Sequence, residues 1–286
     1  MKNIKLIDAH DQFKKFLKEK SHSNSTIVAY GKDIHQLVSF LEEIQKNQPH
    51  EVTKEDIEAF LAKMSKDGYT PKSISRKINS TRTFYRFLKV NEYITDDPSL
   101  LVAHPKYQLA PPRILTPTEY RALRDAARND ARMFAIIELL LQTGIRIGEL
   151  ANLKLADVKK DSLHIEPFEK HEERDVPLNK RSQEALERYM TGRAQTKDNH
   201  LFVTKSGRPF LVRNIRTSME RYFRLAEIKN AKVNDLRHTF VAHHLKQGAS
   251  LVLLSKILGH KRLSTTERYL DFVGERGKET STLTDL

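Results

Sequence analysis

Cysteine is absent from the 286 residues, which excludes disulfides, thiolate chemistry and any Cys-based zinc site, and suits a cytosolic chain. Tryptophan is absent as well. No apolar run approaches the roughly 18 residues that a membrane span needs. The opening MKNIKLIDAHDQFKKF lacks the apolar core of a secretion signal. These gaps predict a cytoplasmic protein with no membrane partner. Internal repeats and low-complexity tracts are missing too.

What is present is basic charge. The formal net charge is +13 with a pI near 9.7, which favours a polyanionic partner, nucleic acid being the commonest. Residues 1–103 hold 17 Lys+Arg against 14 Asp+Glu, and the other 183 hold 33 against 23. The excess therefore lies mainly in the second part, and the length suits one or two domains, each with its own core.

Apolar spacing divides the chain into two helical blocks. Phe13, Phe16 and Leu17, then Ile27, Tyr30, Ile34, Leu37, Val38 and Leu41 after a cap-like Ser23 to Thr26, mark amphipathic helices. A third helix is predicted after Thr53, ending at Gly68. A fourth runs from about Pro71 to Val90, where Lys72, Arg76, Lys77, Arg82, Arg86 and Lys89 occur with no acidic residue between them. Such a run is usually a solvated face, but the overall charge makes it the DNA-facing candidate of the block. Prolines 98, 105, 111, 112 and 117 then exclude a single helix across 96–117.

Helices resume at Thr116-Pro117-Thr118-Glu119, and Met133 to Leu141 predicts a core helix. Ser162 to Pro167 and Arg174 to Leu178 read as a β-hairpin, with a third strand predicted at His200 to Val203 and a turn at 205–207. Further helices are predicted over 215–225, 236–248 and 251–258. The fold class is thus mainly α with a small β-sheet.

Six polar residues in the second block carry the chemistry. Arg146 follows Gly144 at a helix start, where its fork suits a phosphate, although Glu149 three residues on offers a plain ion pair. Lys170 lies at the hairpin tip, either as surface charge or as a flexible proton donor. Asn234 is predicted to cap a helix whose first turn holds Arg237 and His238, aimed where an anion docks. A metal site from His238, His243 and His244 is disfavoured, because offsets of five and six residues fan the rings around a helix. His260 follows a helix-ending Gly259. Tyr269 is nine residues on, a packing residue by ordinary usage but a nucleophile if cations lower its pKa from about 10.

The order and wording of TGIRIGEL at 143–150, ERDVPL at 173–178, NDLRHTF at 234–240, LGH at 258–260 and TTERYL at 265–270 resemble the tyrosine recombinase, or phage-type integrase, superfamily. SNSTIVAYGKDIHQLVSFL at 23–41 is similar to that family's N-terminal core-binding domain. The resemblance covers nearly the whole chain and favours Xer-like or transposon-borne recombinases. It implies a two-domain DNA clamp: a helical, SAM-like core-binding domain at 1–103, a linker at 104–116, and a mixed α/β catalytic domain at 117–286 with a C-terminal exchange tail. Arg146 and Arg237 become the phosphate clamp, Lys170 the proton donor, His238 and His260 supporting histidines, and Tyr269 the nucleophile. Asn234 stands where the family's second motif usually begins with histidine.

DNA contacts are expected from Lys72, Arg76, Lys77, Arg82, Arg174, Lys205, Arg208, Arg213 and Arg216. The resemblance further implies strand cutting and rejoining through a 3′-phosphotyrosyl intermediate, without metal or other cofactor. Its partners would be double-stranded DNA with inverted-repeat core sites, a homotetramer on two sites, accessory proteins, and the bacterial nucleoid. A DNA-binding relative without catalysis, and a type IB topoisomerase-like enzyme, are the competing readings. The tail is polar apart from Val273, Leu283 and Leu286, and the two leucines are expected to anchor in a neighbouring subunit.

Overall fold

The computed structural model describes residues 2–107, 110–168, 171–274, 277, 280 and 282–286. The chain falls into two compact units, Met1–Leu109 and Ala110–Leu286.

The first unit is built from α1 (Leu6–Glu19), α2 (Asn24–Glu43), α3 (Lys54–Lys66) and α4 (Pro71–Val90). Side-chain oxygens start three of them: Ser23, Thr53 and Thr70 each accept from the backbone N–H three residues on, and Pro71 sits where its missing N–H costs nothing. The apolar faces meet in one core holding Phe13, Leu17, Ile34, Leu37, Phe60, Phe84 and Leu88. The Phe13 and Phe84 rings meet edge to face at 5.2 Å.

A charged pair lies inside that core. The Lys77 side chain is 1% exposed and its Nζ lies 3.1 Å from Oδ1 of Asp33, itself 2% exposed. Nζ also donates to Gln36 and sits 4.7 Å from the centre of the Tyr69 ring, while Asp33 further accepts from Arg76 and Ser80. Lys77 is therefore corrected from a DNA contact to a tie between α2 and α4. Arg82 is half-buried and donates to the carbonyls of Ser99 and Val102. Lys72 and Arg76 stay exposed. Replacing Lys77 by methionine is expected to cost about 3 kcal/mol, because it strands a buried carboxylate that only Arg76 still neutralises. Lys72→Ala should cost less than about 0.5 kcal/mol. Urea unfolding followed by circular dichroism compares the two.

In the second unit the elements are α5 (Pro117–Ala127), α6 (Ala131–Thr143), α7 (Ile147–Asn152), β1 (Ser162–Ile165), β2 (Arg174–Pro177), α8 (Lys180–Thr191), α9 (Val212–Leu225), α10 (Val233–Lys246), α11 (Leu251–Leu258) and α12 (Ser264–Glu267). The apolar α6 is the central element, buried from Ala135 through Thr143 and packed on α8 and α10. β1 and β2 pair antiparallel, with Leu163 opposite Val176 and Ile165 opposite Arg174. The strand expected at 200–203 does not form. His200 and Val203 make only isolated bridges, to Lys154 and Pro209, and a proline without an N–H cannot extend a ladder. The turn at 205–207 is present, with Gly207 at φ +74°. α8 was not anticipated from the sequence.

The tail packs on its own unit in the isolated chain. Leu286 is 6% exposed against its own unit. Its carbonyl accepts from Arg124 at 3.0 Å and Gln142 at 3.2 Å, and its N–H donates to Gln142 at 3.1 Å. Leu283 packs on the same core. Leu286 thus has a seat within this chain, made with Arg124 of α5 and Gln142 of α6. Among the described residues no helix is long and apolar enough to cross a membrane.

Candidate active site

Helix ends gather the arginines. Gly144, at φ +62°, stops α6, and a Cβ there would lie 2.5 Å from the Phe240 ring, so only glycine fits. Two residues later Arg146 becomes the N-cap of α7, its N–H bonded to the Glu149 carboxylate at 2.8 Å. The last carbonyls of α11 have no partner within the helix and carry its negative pole. They face three guanidinium groups: Ile257 accepts from Arg174 at 2.6 Å, Leu258 from Arg146 at 3.1 Å and Arg237 at 2.9 Å, and Gly259 from Arg146 at 3.4 Å. The carbonyl of Gly144 takes a fifth bond, 2.5 Å from Arg237.

One anion holds this cluster together. Glu149, with its side chain fully buried, accepts a fork from Arg174 at 3.0 and 2.8 Å and a further bond from Arg146 at 3.0 Å. Burial alone would raise its carboxyl, but Arg174 and then Arg146 outweigh burial and hold it at about 2. The ion-pair reading of Arg146 is what the contacts show. It pairs with Glu149, yet its Nε–H and one Nη2–H have no partner among the described residues, and its side chain is 25% exposed. Arg237 is only 6% exposed. Burial and the nearby Arg146 charge pull it down to about 9, so it remains a cation at neutral pH.

Arg174 is corrected from an expected DNA contact to an internal strut. Its side chain is 7% exposed, because the alternation that turns Val176 inward turns Arg174 the same way. Lys205, Arg208, Arg213 and Arg216 are exposed on the turn at 205–207 and on α9. Lys170 lies outside the described residues. Its sequence neighbour His171 is half-buried, and its imidazole is pulled down by burial and then by the Arg146 charge.

The hydrogen bonds assign both histidines. Arg237 Nη2 lies 2.9 Å from His260 Nε2 and can only donate, so that nitrogen is bare and Nδ1 carries the proton, donated to Thr266 Oγ1 at 2.8 Å. Burial, then the charges of Arg237 and Arg146, push His260 down to about 3, which keeps it neutral. His238 Nδ1 lies 2.6 Å from the Tyr269 hydroxyl, and its Nε2 lies 2.7 Å from Asn234 Nδ2. Asn234 does not cap α10 as expected. The helix begins at Val233, and the Asp235 carboxylate accepts from the Lys232 N–H instead, leaving the Asn234 amide for His238. Tyr269 is 9% exposed. Burial raises its phenol, and the charges of Arg237, Arg268 and Arg146 pull the other way.

Residues far apart in sequence, from Gly144 to Tyr269, are thus brought together by hydrogen bonds. The Phage integrase family pattern matches residues 113–274, and the phage integrase N-terminal SAM-like domain matches residues 10–92. The chain belongs to the phage integrase family. It is 32% identical over 266 residues to tyrosine recombinase XerC of Anoxybacillus flavithermus, covering 88% of each chain. Against tyrosine recombinase XerD of Staphylococcus haemolyticus it is 31% identical, covering 91% of this integrase and 92% of that protein. The crystal structure of XerA recombinase superposes with a TM-score of 0.53 at 28% identity, covering 92% of each. A lambda integrase dimer bound to a COC′ core site shares the fold, with a TM-score of 0.77 at 18% identity, covering 92% of this chain and 97% of that one. This integrase is accordingly an enzyme of the tyrosine recombinase class, with a mainly helical fold and a two-stranded sheet.

Proposed function

We propose that this integrase cuts, exchanges and rejoins DNA strands at specific sites through a 3′-phosphotyrosyl intermediate, in a tetramer that holds two duplexes. The observation that carries this reading is the Tyr269 hydroxyl 2.6 Å from Nδ1 of His238, the neighbour of Arg237 on α10, with the charges of Arg237, Arg268 and Arg146 acting on the phenol. The Tyr269 oxygen bonds to the scissile phosphorus and the P–O5′ bond breaks. The phenolic proton passes to water, and the leaving 5′-oxygen takes up a proton, a task assigned to Lys170 by the resemblance. Bond energy is kept in the phosphotyrosine, so rejoining is the reverse step and neither metal nor nucleotide is consumed.

Arg146 and Arg237 meet the phosphate with the N–H groups that the protein leaves unbonded, and His260 fixes the Arg237 fork. Residues 1–103 and 117–286 are assigned to DNA on either side of the 104–116 linker, through Lys72, Arg76, Lys205, Arg208, Arg213 and Arg216. Relatives support the assembly: a lambda integrase tetramer is known on a Holliday junction, and a Tn1549 transposon integrase in complex with transposon right-end DNA. The seated tail is the segment proposed to pass between subunits.

A nicked duplex traps the cut state, because the short 5′-ended strand diffuses away. The probe is a nicked duplex bearing the sequence that the Tyr269→Phe protein selects from random DNA. Mass spectrometry of the digested adduct is expected to place a 3′-phosphonucleotide on the peptide containing Tyr269. An adduct elsewhere, or none, would overturn the reading.

A further inference from the structure

Three side chains form a chain of hydrogen bonds that the phosphate clamp does not account for. Asn234 and His238 are four residues apart on α10, one face of one helix. His238 is half-buried between the exposed Asn234 amide and the nearly buried Tyr269 hydroxyl. The contacts are short, 2.7 Å on the amide side and 2.6 Å on the phenol side. A neutral imidazole has one N–H and one bare nitrogen, so what faces Nε2 decides what Nδ1 can do.

An amide nitrogen only donates. With Nδ2 of Asn234 against Nε2, that nitrogen must be the bare one, and the proton sits on Nδ1, directed at Tyr269. We infer that Asn234 is a positioning residue that fixes the His238 tautomer, and that His238 is a catalytic residue that donates to the Tyr269 oxygen and does not accept its proton. The inference rests on the nucleophile assignment above and deepens it.

The consequence is chemical. A base at this place would take the phenolic proton. A donor leaves that proton to depart on the phosphate side, to water, and stabilises the charge left on oxygen as attack begins. The charged groups around the pair fit a neutral donor: Asp235 and Arg237 act on the imidazole in opposite directions, and burial lowers its affinity for a second proton. Arg237 of α10, the adjacent Arg268, and Arg146 at the start of α7 supply positive charge to the phenol. An imidazole at position 234 could present either a donor or a bare nitrogen, whereas the asparagine carries no titratable proton. Asn234 also gains no helix-capping duty that would explain its type, since Asp235 does that work.

Two measurements on the intact chain test this. Long-range 15N–1H correlation of labelled histidine, without DNA, reads the tautomer directly, with the His238 signal identified by its loss in His238→Gln. Wild type is expected to show protonated Nδ1, and Asn234→Asp, whose carboxylate only accepts, protonated Nε2. In cleavage of the nicked duplex described above, Asn234→Asp should be slowed about 10²-fold or more, as for loss of one preorganised donor, while DNA binding holds. His238→Gln, which keeps an N–H donor, should retain more activity than His238→Ala.

A protonated Nε2 in wild type would overturn the inference and make His238 the base. Normal cleavage by Asn234→Asp, or equal loss in His238→Gln and His238→Ala, would overturn the donor role. If Tyr269→Phe itself formed the adduct, the nucleophile reading would fail, whereas the tautomer result would stand on its own.

Discussion

Tyr269→Phe is expected to bind its DNA site as the unsubstituted integrase does and to form no covalent complex. The change removes one oxygen and little else. Phenylalanine fills the same 9% exposed position, and the cationic groups that would meet the phosphate are untouched. The lost partner is Nδ1 of the half-buried His238 ring, so the stability cost should be about 1 kcal/mol. The effect on cleavage is of another order, because removing a nucleophile outright costs on the order of 10⁶ in rate. A denaturing gel of labelled nicked duplex reads both states: retained mobility shift in the native lane, no retarded band in the denatured one. A retarded band from Tyr269→Phe would move the nucleophile elsewhere.

Local chemistry made much of this molecule legible in its sequence. Thr53 with Asp56 and Thr116 with Glu119 do form reciprocal caps at the starts of α3 and α5, because such caps depend on four consecutive residues and on nothing distant. The hairpin strands lie within a residue or two of their expected ends, since period-two alternation survives in a pair that buries one face. What failed was the reading of charge as exposure. Lys77 and Arg174 both count toward the basic excess, yet both are internal. Each left a trace: Lys77 falls on the stripe of Ile74, Ile78 and Tyr85, and Asp33 falls on the stripe of Tyr30, Ile34 and Leu37. Two opposite charges on two apolar faces point to a buried pair, once it is known that the faces meet. Arg174 shares the parity of Val176. α8 was missed for the opposite reason, having only Ala185, Leu186 and Tyr189 among its buried apolar residues, too few to show a period without the Asn179 cap. Nothing in the sequence places Thr266 on His260 or Glu149 beneath three arginines, because those contacts are made by the fold.

Arg237→Lys is expected to cut the cleavage rate about 10²–10³-fold while leaving a folded, DNA-binding protein. The guanidinium holds Gly144, Leu258 and His260 with Nη1 and Nη2, and keeps its Nε–H and one Nη1–H unbonded among the described residues. It is therefore held at both Nη nitrogens and already oriented before phosphate arrives. An ammonium has the charge but not the plane: it can satisfy some of those carbonyls or reach toward the phosphate, not both. The buried charge remains paired with helix-end carbonyls, so the loss should appear in cleavage rate more than in affinity. Arg174→Lys separates the two duties. Arg174 touches Glu149 and Ile257 and no group assigned to the phosphate, so its replacement should lower the unfolding midpoint, and should slow cleavage only as far as Arg146 loses its alignment on Glu149. Single-turnover cleavage of the nicked duplex and urea unfolding, run on both variants, give the four numbers needed. A normal rate with Arg237→Lys, or a larger rate loss with Arg174→Lys than with Arg237→Lys, would show that the phosphate is met by charge alone, and that the fork of Arg237 serves only the fold.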